Sequence, residues 1–236
     1  MNLFILTGAG ISADSGLATW REGSGLWHGQ AIEQICSVDA FQKSPDLVCA
    51  FYDERRAAAL KAAPNPAHHA LAKLERIWTE QSLGECALVT QNIDDLHERA
   101  GSPSVIHMHG ALHEAMCAEC GWQGLRYSNL EGARDCALCG VEALRPNIVF
   151  FGEAPRHMRR IEAALQSCDI FVSIGTSGAV YPAAGFAQIA AQNGASTVHM
   201  NTDDPAASTL FGVTMKGRAA DLAPIWVDEL LTLKLA

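Results

Sequence analysis

The sequence predicts an α/β fold with a mostly parallel β-sheet, interrupted by a smaller lobe. Three observations predict it: short apolar runs alternate with alanine-rich helical stretches, a glycine-rich loop follows the first run, and two cysteine pairs interrupt the alternation. Alternating strands and helices are typical of parallel strands joined by helical crossovers. We therefore expect a large sheet domain and a smaller lobe that carries the paired cysteines.

Five apolar runs are predicted to form the strands of the sheet. Near-continuous apolar content, as in the run from Ile170 to Ile174, suits a strand that helices cover on both faces. The predicted strands are residues 3–7, 87–90, 148–151, 170–174 and 197–200.

Helices and insertions account for the segments between the runs. Asn65-Pro66 is typical of a helix start, with Asn at the N-cap and Pro at the first helical position, and we expect this helix to end near Trp78. Apolar spacing predicts amphipathic helices between residues 31 and 64. The predicted sheet domain comprises residues 1–30, 65–110 and 146–236, and the small domain comprises residues 31–64 and 111–145.

Composition bounds the possible functions. The 236 residues include 49% hydrophobic and 18% charged residues, which is enough apolar material for a buried core. The formal net charge of −9 argues against nucleic-acid binding, because neutralising phosphates requires a surplus of Lys and Arg.

The apolar stretch Leu3 to Leu6 ends at Gly8, far short of the roughly 18 residues of a membrane span, so we expect no membrane anchor. Unpaired, scattered cysteines favour a reducing compartment, and the cytoplasm is the expected location.

Two Cys-x-x-Cys pairs predict a zinc site. Cys117 and Cys120 are separated from Cys136 and Cys139 by fifteen residues, and a glycine follows each pair. Two such knuckles can bring four thiolates around one tetrahedral zinc ion. The alternatives are two disulfides or four unrelated buried cysteines, which a reducing compartment disfavours. Because four sulfur ligands leave no open coordination position, we predict that the zinc ion is structural.

The loop after the first strand has the pattern G-x-G-x-x-A, in the residues Gly8 to Ala13. Glycines at this spacing permit a tight turn and the close approach of a phosphate to a helix N-terminus. A plain strand-to-helix turn is the alternative, and the acidic residue expected about twenty positions later has no clear counterpart. The motif by itself leaves both possibilities open.

Together, these motifs resemble the sirtuin family, the NAD-dependent protein-lysine deacylases, in the family's order over nearly the whole chain. The segments that carry the resemblance are Gly8 to Ser12, Thr19-Trp20-Arg21, Gly25-Leu26-Trp27, Pro64-Asn65, Gln91 to Asp94, His109-Gly110, the four cysteines, Phe151-Gly152-Glu153 and Gly175 to Ser177, continued by Val180 to Ala183.

The resemblance implies a Rossmann-like NAD-binding domain and a small domain with one structural zinc ion. NAD as co-substrate and an acylated protein lysine would enter the cleft between the domains from opposite sides. The implied catalytic residues are His109 and Asn92. The residues implied to bind NAD are Gly8, Ala9, Gly10, Ser12, Ala13, Thr19, Trp20, Arg21, Trp27, Gln91, Asn92, Ile93, Asp94, Gly175, Thr176, Ser177, Asn201 and Ala219.

Two of these implied roles have alternatives in the local sequence. Asn92 or Asp94 could instead cap the turn before Leu96, and the local sequence alone favours the cap. We also expect a strand from Val105 to His109, whose alternation places His107 on the same face as His109, so only the family motif selects His109. In the implied reaction, the acyl oxygen attacks the ribose of NAD as nicotinamide leaves, and His109 takes a proton from a ribose hydroxyl, which moves the acyl group to ADP-ribose.

Tyr52 and Arg55 match the pair that marks desuccinylating members of the family. Their spacing places both side chains on one face of a helix. A guanidinium can hold a carboxylate bidentately while the phenol adds a hydrogen bond, which favours succinyl, malonyl or glutaryl groups. The alternative is a solvated helix face on which Arg55 pairs with Asp53 or Glu54.

Three positions depart from the family's common pattern, namely Trp20, His107 and Phe150, where the family often has Phe, an acidic residue and Trp.

Two other functions compete with deacylation. One is an NAD glycohydrolase or ADP-ribosyltransferase that uses the same pocket, and the other is a non-catalytic sensor of NAD or ADP-ribose.

Overall fold

A parallel sheet forms the centre of the computed structural model, which describes residues 1–18, 26–27, 30–31, 35–178, 180–205 and 208–235. The strands of this sheet in the described residues are β1 (Leu3–Thr7), β4 (Cys86–Thr90), β5 (Val105–His107), β9 (Ile170–Ile174), β10 (Ser196–Asn201) and β11 (Val213–Lys216). Their spatial order is β11-β10-β9-β1-β4-β5, and every neighbouring pair is parallel.

Helices cover both faces of the sheet. Leu3 and Ile5 point into a core with α4 (Pro66–Glu80) and α8 (Ala219–Leu235), as shown by their shared buried cluster. Phe4 and Leu6 alternate with them and pack on the opposite face. That face is covered by α6 (Met158–Ser167) and α7 (Phe186–Gln192). Burial on both faces explains why the β1 sequence is apolar without alternation.

The predicted helix start at Asn65 is confirmed. The Asn65 side chain accepts a hydrogen bond from the Ala67 amide at 3.0 Å, and the backbone amide of Asn65 donates to His68 Nδ1 at 3.3 Å. Reciprocal capping of this kind satisfies amides that have no partner in the first helical turn. The helix ends at Glu80, two residues beyond the predicted end.

A helical segment and an antiparallel sheet form a second packed unit. The helices are α2 (Val38–Lys43) and α3 (Pro45–Lys61), and the sheet has the order β7-β6-β8. Its strands are β6 (Gly110–Cys117), β7 (Gln123–Leu125) and β8 (Leu144–Ile148). Cys49 of α3 is buried with Ala115 and Leu144 of this sheet, so the two segments share a core. The domain limits stay a prediction.

The remaining elements are short. In the described residues they are α1 (Ala9–Ala13), α5 (Leu96–Ala100), two 3₁₀ helices (Ala183–Gly185 and Ser208–Leu210) and the two-stranded pair β2 (Leu26–Trp27) and β3 (Gln30–Ala31). Among the described residues, no helix combines the length and the apolar character needed to cross a membrane.

The structure corrects the strand prediction in two places. The predicted strand 148–151 is wrong, because β8 ends at Ile148 and belongs to the antiparallel sheet, and Phe151 makes only an isolated bridge to Ser37. The strand from Val105 ends at His107, before His109, so strand alternation does not place these two histidines on one face. The sequence prediction also missed β11, an edge strand whose side chains are mostly exposed.

Candidate active site

A cavity of about 1100 Å³ lies at the carboxyl edge of the parallel sheet. Its lining includes Gly8 after β1, Gln91 after β4, Gly175 after β9, Asn201 at the end of β10 and Gly217 after β11. In open α/β sheets, ligands bind in the crevice outside the carboxyl ends of the strands. The topology therefore gathers residues from the carboxyl ends of five strands, or from the loops that follow them, around one binding space.

The cavity brings together the site residues that the sequence predicted, wherever the structure describes them. Thr19, Trp20 and Arg21 lie outside the described residues, as does the side chain of Trp27. The predicted residues that line the cavity are Gly8, Ala9, Gly10, Ser12, Ala13, Tyr52, Arg55, Gln91, Asn92, Ile93, Asp94, His109, Gly175, Thr176, Ser177, Asn201 and Ala219.

The glycines of the first loop allow a close backbone contact across the sheet. A Cβ atom on Gly8 would lie 2.7 Å from Cβ of Thr176, and one on Gly10 would lie 2.7 Å from Cα of Gly175. Gly175 itself has a φ of +63°, in the left-handed region that favours glycine. The motif therefore joins the loops after β1 and β9, in addition to leaving the backbone open towards the cavity.

A buried polar network connects the loops after β1 and β4. The Asn92 amide nitrogen donates to the carbonyl of Gly8 and to the hydroxyl of Ser12, both at 3.1 Å. Ser12 donates in turn to Asp94 Oδ2 at 3.0 Å, while Asp94 Oδ1 accepts from the Leu96 amide at 3.2 Å. Asp94 therefore satisfies both readings of its sequence, since it fixes the turn before Leu96 and also lines the cavity.

Burial changes the proton affinity of Asp94. Desolvation raises the pKa of this carboxyl above its ordinary value, and the hydrogen bonds from Leu96 and Ser12 partly oppose that rise. Gln91 beside it donates from its side chain to the Thr176 hydroxyl at 2.9 Å. The loop after β4 is thus held in place by side-chain contacts on both of its flanks.

His109 has the tautomer and the proton affinity of a base. Its Nδ1 lies 3.0 Å from the carbonyl oxygen of Gln91. Because a carbonyl only accepts, Nδ1 must carry the hydrogen, and the lone pair lies on Nε2. Burial lowers the pKa of His109, although the Gln91 carbonyl partly opposes this shift. His109 is therefore neutral near pH 7 and lines the cavity, whereas His107 does not line it in the described structure.

Tyr52 and Arg55 lie at another part of the same cavity, on α3. The Tyr52 hydroxyl is buried and donates to Cys36 Sγ at 3.4 Å. Arg55 Nη2 pairs with exposed Glu54 at 2.9 Å, as the solvated-face alternative anticipated, and its guanidinium stacks over Phe51 at 4.2 Å. However, Arg55 Nε and Nη1 are buried and have no hydrogen-bond partner in the described structure. A partly buried cation whose buried donors lack partners favours an anionic ligand.

An ion pair that the sequence reasoning missed supports the wall of this pocket. Arg145 of β8 binds both carboxylate oxygens of Glu153, at 2.6 and 2.9 Å, and Glu153 also accepts from the Phe150 amide at 2.8 Å. The Arg145 guanidinium lies 4.0 Å from the centre of the Phe150 ring, which packs against the Tyr52 ring at 5.8 Å. The sequence identified Glu153 only as part of the family motif. The signal that could have revealed the ion pair was an arginine, Arg145, close to the apolar run at 148–151.

The four cysteines form a site that fits one zinc ion. The Sγ atoms of Cys117 and Cys139 are 3.7 Å apart, as are those of Cys120 and Cys136, and all four lie within 4.8 Å of one another. Zinc–sulfur bonds of about 2.3 Å in a tetrahedron require sulfur separations of about 3.8 Å. Both knuckle turns have a glycine with a φ of +74°, at Gly121 and Gly140.

None of the four cysteines is among the described residues that line the cavity, so the zinc site takes no part in the cavity. Its role is to brace the small lobe. The lobe core agrees with this structural role, because Cys117 and Cys136 are buried with Leu130 and Leu144.

Comparisons with known proteins agree with the geometry. A family model described as "Sir2 family" matches residues 8–182. The NAD-dependent protein deacylase SIR2rp3 of Leishmania major is 48% identical over 233 residues, covering 96% of this chain and 94% of that protein. The NAD-dependent protein deacylase of Vibrio cholerae is 45% identical, covering 98% of this chain and 93% of its own length.

Solved structures share the fold over nearly the whole chain. A mutant of a Sir2 homologue in complex with ADP-ribose matches with a TM-score of 0.90 at 35% identity, covering 100% of this chain and 94% of the other. A structure described as Sir2 bound to acetylated peptide matches with a TM-score of 0.81 at 30% identity, covering 97% and 92%.

Proposed function

This chain belongs to the Sir2 family, and on that premise we propose that it is an NAD-dependent protein-lysine deacylase that prefers succinyl and malonyl groups to acetyl groups. The observation that carries the proposal is one cavity lined both by a neutral histidine and by a partly buried arginine, two of whose nitrogens have no hydrogen-bond partner among the described residues. The relatives named NAD-dependent protein deacylases support the general activity, and Arg55 supports the acyl preference.

The part of the cavity near the sheet would hold NAD. Bound NAD supplies a ribose carbon that accepts the acyl oxygen as nicotinamide leaves. The backbone of Gly8 to Gly10 leaves room for phosphates, since no side chain projects from either glycine. Gln91, Asn92 and Asp94 offer amide and carboxylate groups suited to ribose hydroxyls and to a carboxamide.

His109 would act as the general base for a ribose hydroxyl. Its Nε2 lone pair is available because Nδ1 donates to the Gln91 carbonyl, and its lowered pKa keeps the ring neutral at physiological pH. The side-chain amide of Asn92 is held by hydrogen bonds to Gly8 and Ser12, so it would not rotate when it positions a polar group of the ligand near His109.

The acyl end of the substrate would meet Arg55 and Tyr52. A succinyl or malonyl carboxylate can accept from the unpaired nitrogens of Arg55, and Tyr52 lies on the same wall. An acetyl group carries no charge and would leave those donors unpaired, which is costly in a buried site. The proposed products are free lysine, nicotinamide and an O-acyl-ADP-ribose.

The proposal includes protein acyl-lysines as the partners and the cytoplasm as the location. A four-thiolate zinc site and free buried cysteines at Cys49 and Cys168 suit a reducing compartment.

Mass spectrometry of the products tests the proposal. The chain is incubated with NAD and a succinylated peptide, and the expected products are the free-lysine peptide and O-succinyl-ADP-ribose, formed faster than the acetyl products from an acetylated peptide. Nicotinamide release without any peptide would indicate an NAD glycohydrolase instead. Binding of ADP-ribose without turnover of either substrate would indicate a sensor.

A further inference from the structure

Two histidines hold successive backbone carbonyls of the loop after β4. His109 Nδ1 lies 3.0 Å from the Gln91 carbonyl, and His107 Nδ1 lies 3.2 Å from the Asn92 carbonyl. The other ring nitrogen of His107 differs from that of His109, because it lies 2.7 Å from Glu98 Oε1. His107 does not line the cavity in the described structure, so it can act on the cavity only indirectly, through its contact with Asn92 or through its charge.

The contacts of His107 determine its protonation state. A carbonyl oxygen only accepts, so Nδ1 must donate to Asn92, and the Glu98 carboxylate likewise requires Nε2 to donate. A histidine with two N–H donors is an imidazolium. These contacts therefore favour different charges two residues apart, with His109 neutral and His107 positive.

The electrostatic surroundings of His107 agree with that charge. Burial by itself lowers the pKa of His107, but the hydrogen bond and charge of Glu98, together with the Asn92 carbonyl and Asp94, raise it above its ordinary value. The same pair lowers the pKa of Glu98, against the opposing effect of burial. The other titratable groups around the pair are Glu75 of α4, Asp95 before α5, His97 of α5 and His113 of β6.

We propose that His107, oriented by Glu98, is a positioning residue whose imidazolium fixes the Asn92 carbonyl and supplies a positive charge beside Asp94. Asn92 and Asp94 both line the cavity, and Asn92 also links this loop to Gly8. The kinetic consequence of this assignment rests on the proposed deacylase function, whereas its binding consequence does not.

Loss of a proton from the His107 ring weakens its contacts with Asn92 and Glu98. A neutral His107 has one ring nitrogen with a lone pair, which would face either the Asn92 carbonyl or the Glu98 carboxylate and repel it. The site therefore requires two opposite states, a neutral His109 and a charged His107. Activity should fall at low pH as His109 gains a proton, and at high pH as His107 loses one.

Three variants separate these roles. Glu98→Gln removes the charge that stabilises the imidazolium, and His107→Gln keeps an amide donor for the Asn92 carbonyl but cannot titrate. Glu80→Gln is the control, because Glu80 is an exposed carboxylate paired with Arg76 on the surface of α4.

Three measurements are made on the full chain. NMR titration of the ring should show the pKa of His107 lowered by about one unit in Glu98→Gln. Calorimetry should show that ADP-ribose affinity falls at lower pH in Glu98→Gln than in the wild type or the Glu80→Gln control. In Glu98→Gln, the alkaline limb of the pH profile of kcat/KM for NAD should move to lower pH by the same amount, while the acid limb stays unchanged. In His107→Gln, the alkaline limb should be absent.

The assignment would be overturned if Glu98→Gln lowered the pKa of His107 but ADP-ribose affinity still fell at the same alkaline pH as in the wild type. A wild type without any deacylase activity would refute the proposed function, and the pH dependence of ADP-ribose binding would still decide the role of His107.

Discussion

Replacing Arg55 with methionine should lower kcat/KM for a succinyl-lysine peptide by about 10- to 100-fold, while changing kcat/KM for the acetyl peptide by less than about threefold. Methionine keeps an unbranched side chain of similar reach but removes the charge and the donors. Arg55 is 13% exposed, and its Nε and Nη1 are buried without partners in the described structure.

The magnitude follows from these contacts. A hydrogen bond to a charged group contributes about 1.5–3 kcal/mol, and about 1.4 kcal/mol corresponds to a factor of ten. Glu54 is 70% exposed and neutralises Arg55 only weakly, so most of this interaction energy remains for an acyl carboxylate. Acetyl-lysine has no group that can use it.

Steady-state kinetics with matched succinyl and acetyl peptides measures the effect. Arg76→Met is the control, because Arg76 is an exposed arginine that pairs with Glu80, and neither residue is among the described residues that line the cavity. Glu54→Gln removes the partner of Arg55 and should leave the succinyl preference intact. Equal losses on both peptides in Arg55→Met, or the same loss in Glu54→Gln, would refute the role of Arg55 in acyl recognition.

Two further predictions concern the Arg145–Glu153 ion pair and the zinc site. Glu153→Gln leaves the buried Arg145 without its counter-charge and should destabilise the protein by about 2–3 kcal/mol, or about 4–6 °C in Tm. The equivalent change at exposed Glu142 should cost less than about 0.5 kcal/mol, and equal costs in thermal denaturation would contradict the role of the buried pair. Metal analysis should find one zinc per chain, and chelation should abolish deacylation by unfolding the lobe, so a zinc-free protein that stays folded and active would disprove this link.

The strands that the sequence predicted correctly are those buried on both faces. Leu3–Thr7 and Ile170–Ile174 match their predicted limits because every position packs against a helix or a neighbouring strand. The strand Val213–Lys216 was missed because it lies at the edge of the sheet with mostly exposed side chains, so it has no apolar run. The run at 148–151 was misleading for the opposite reason: Phe150 is buried by Arg145 and Tyr52 rather than by a strand environment.

The site could be predicted only as far as local motifs reach. The resemblance selected residues that the fold gathers into one cavity, including His109 and Arg55. The contacts that orient them join distant segments, as in the hydrogen bond from Asn92 to Gly8 and the packing of Gly10 on Gly175. No periodicity or spacing encodes such pairs, and the opposite charges that we propose for His107 and His109 rest only on their partners in the folded chain.

The role of His109 is the central claim, and one comparison tests it most directly. The rate of free-lysine formation from a succinylated peptide and NAD is measured for the wild type and for His109→Ala, together with the affinity of each for ADP-ribose. Loss of a general base should slow the reaction by about 10²- to 10⁴-fold while the ADP-ribose affinity stays within about threefold. A His109→Ala variant that deacylates within about tenfold of the wild-type rate would contradict the account.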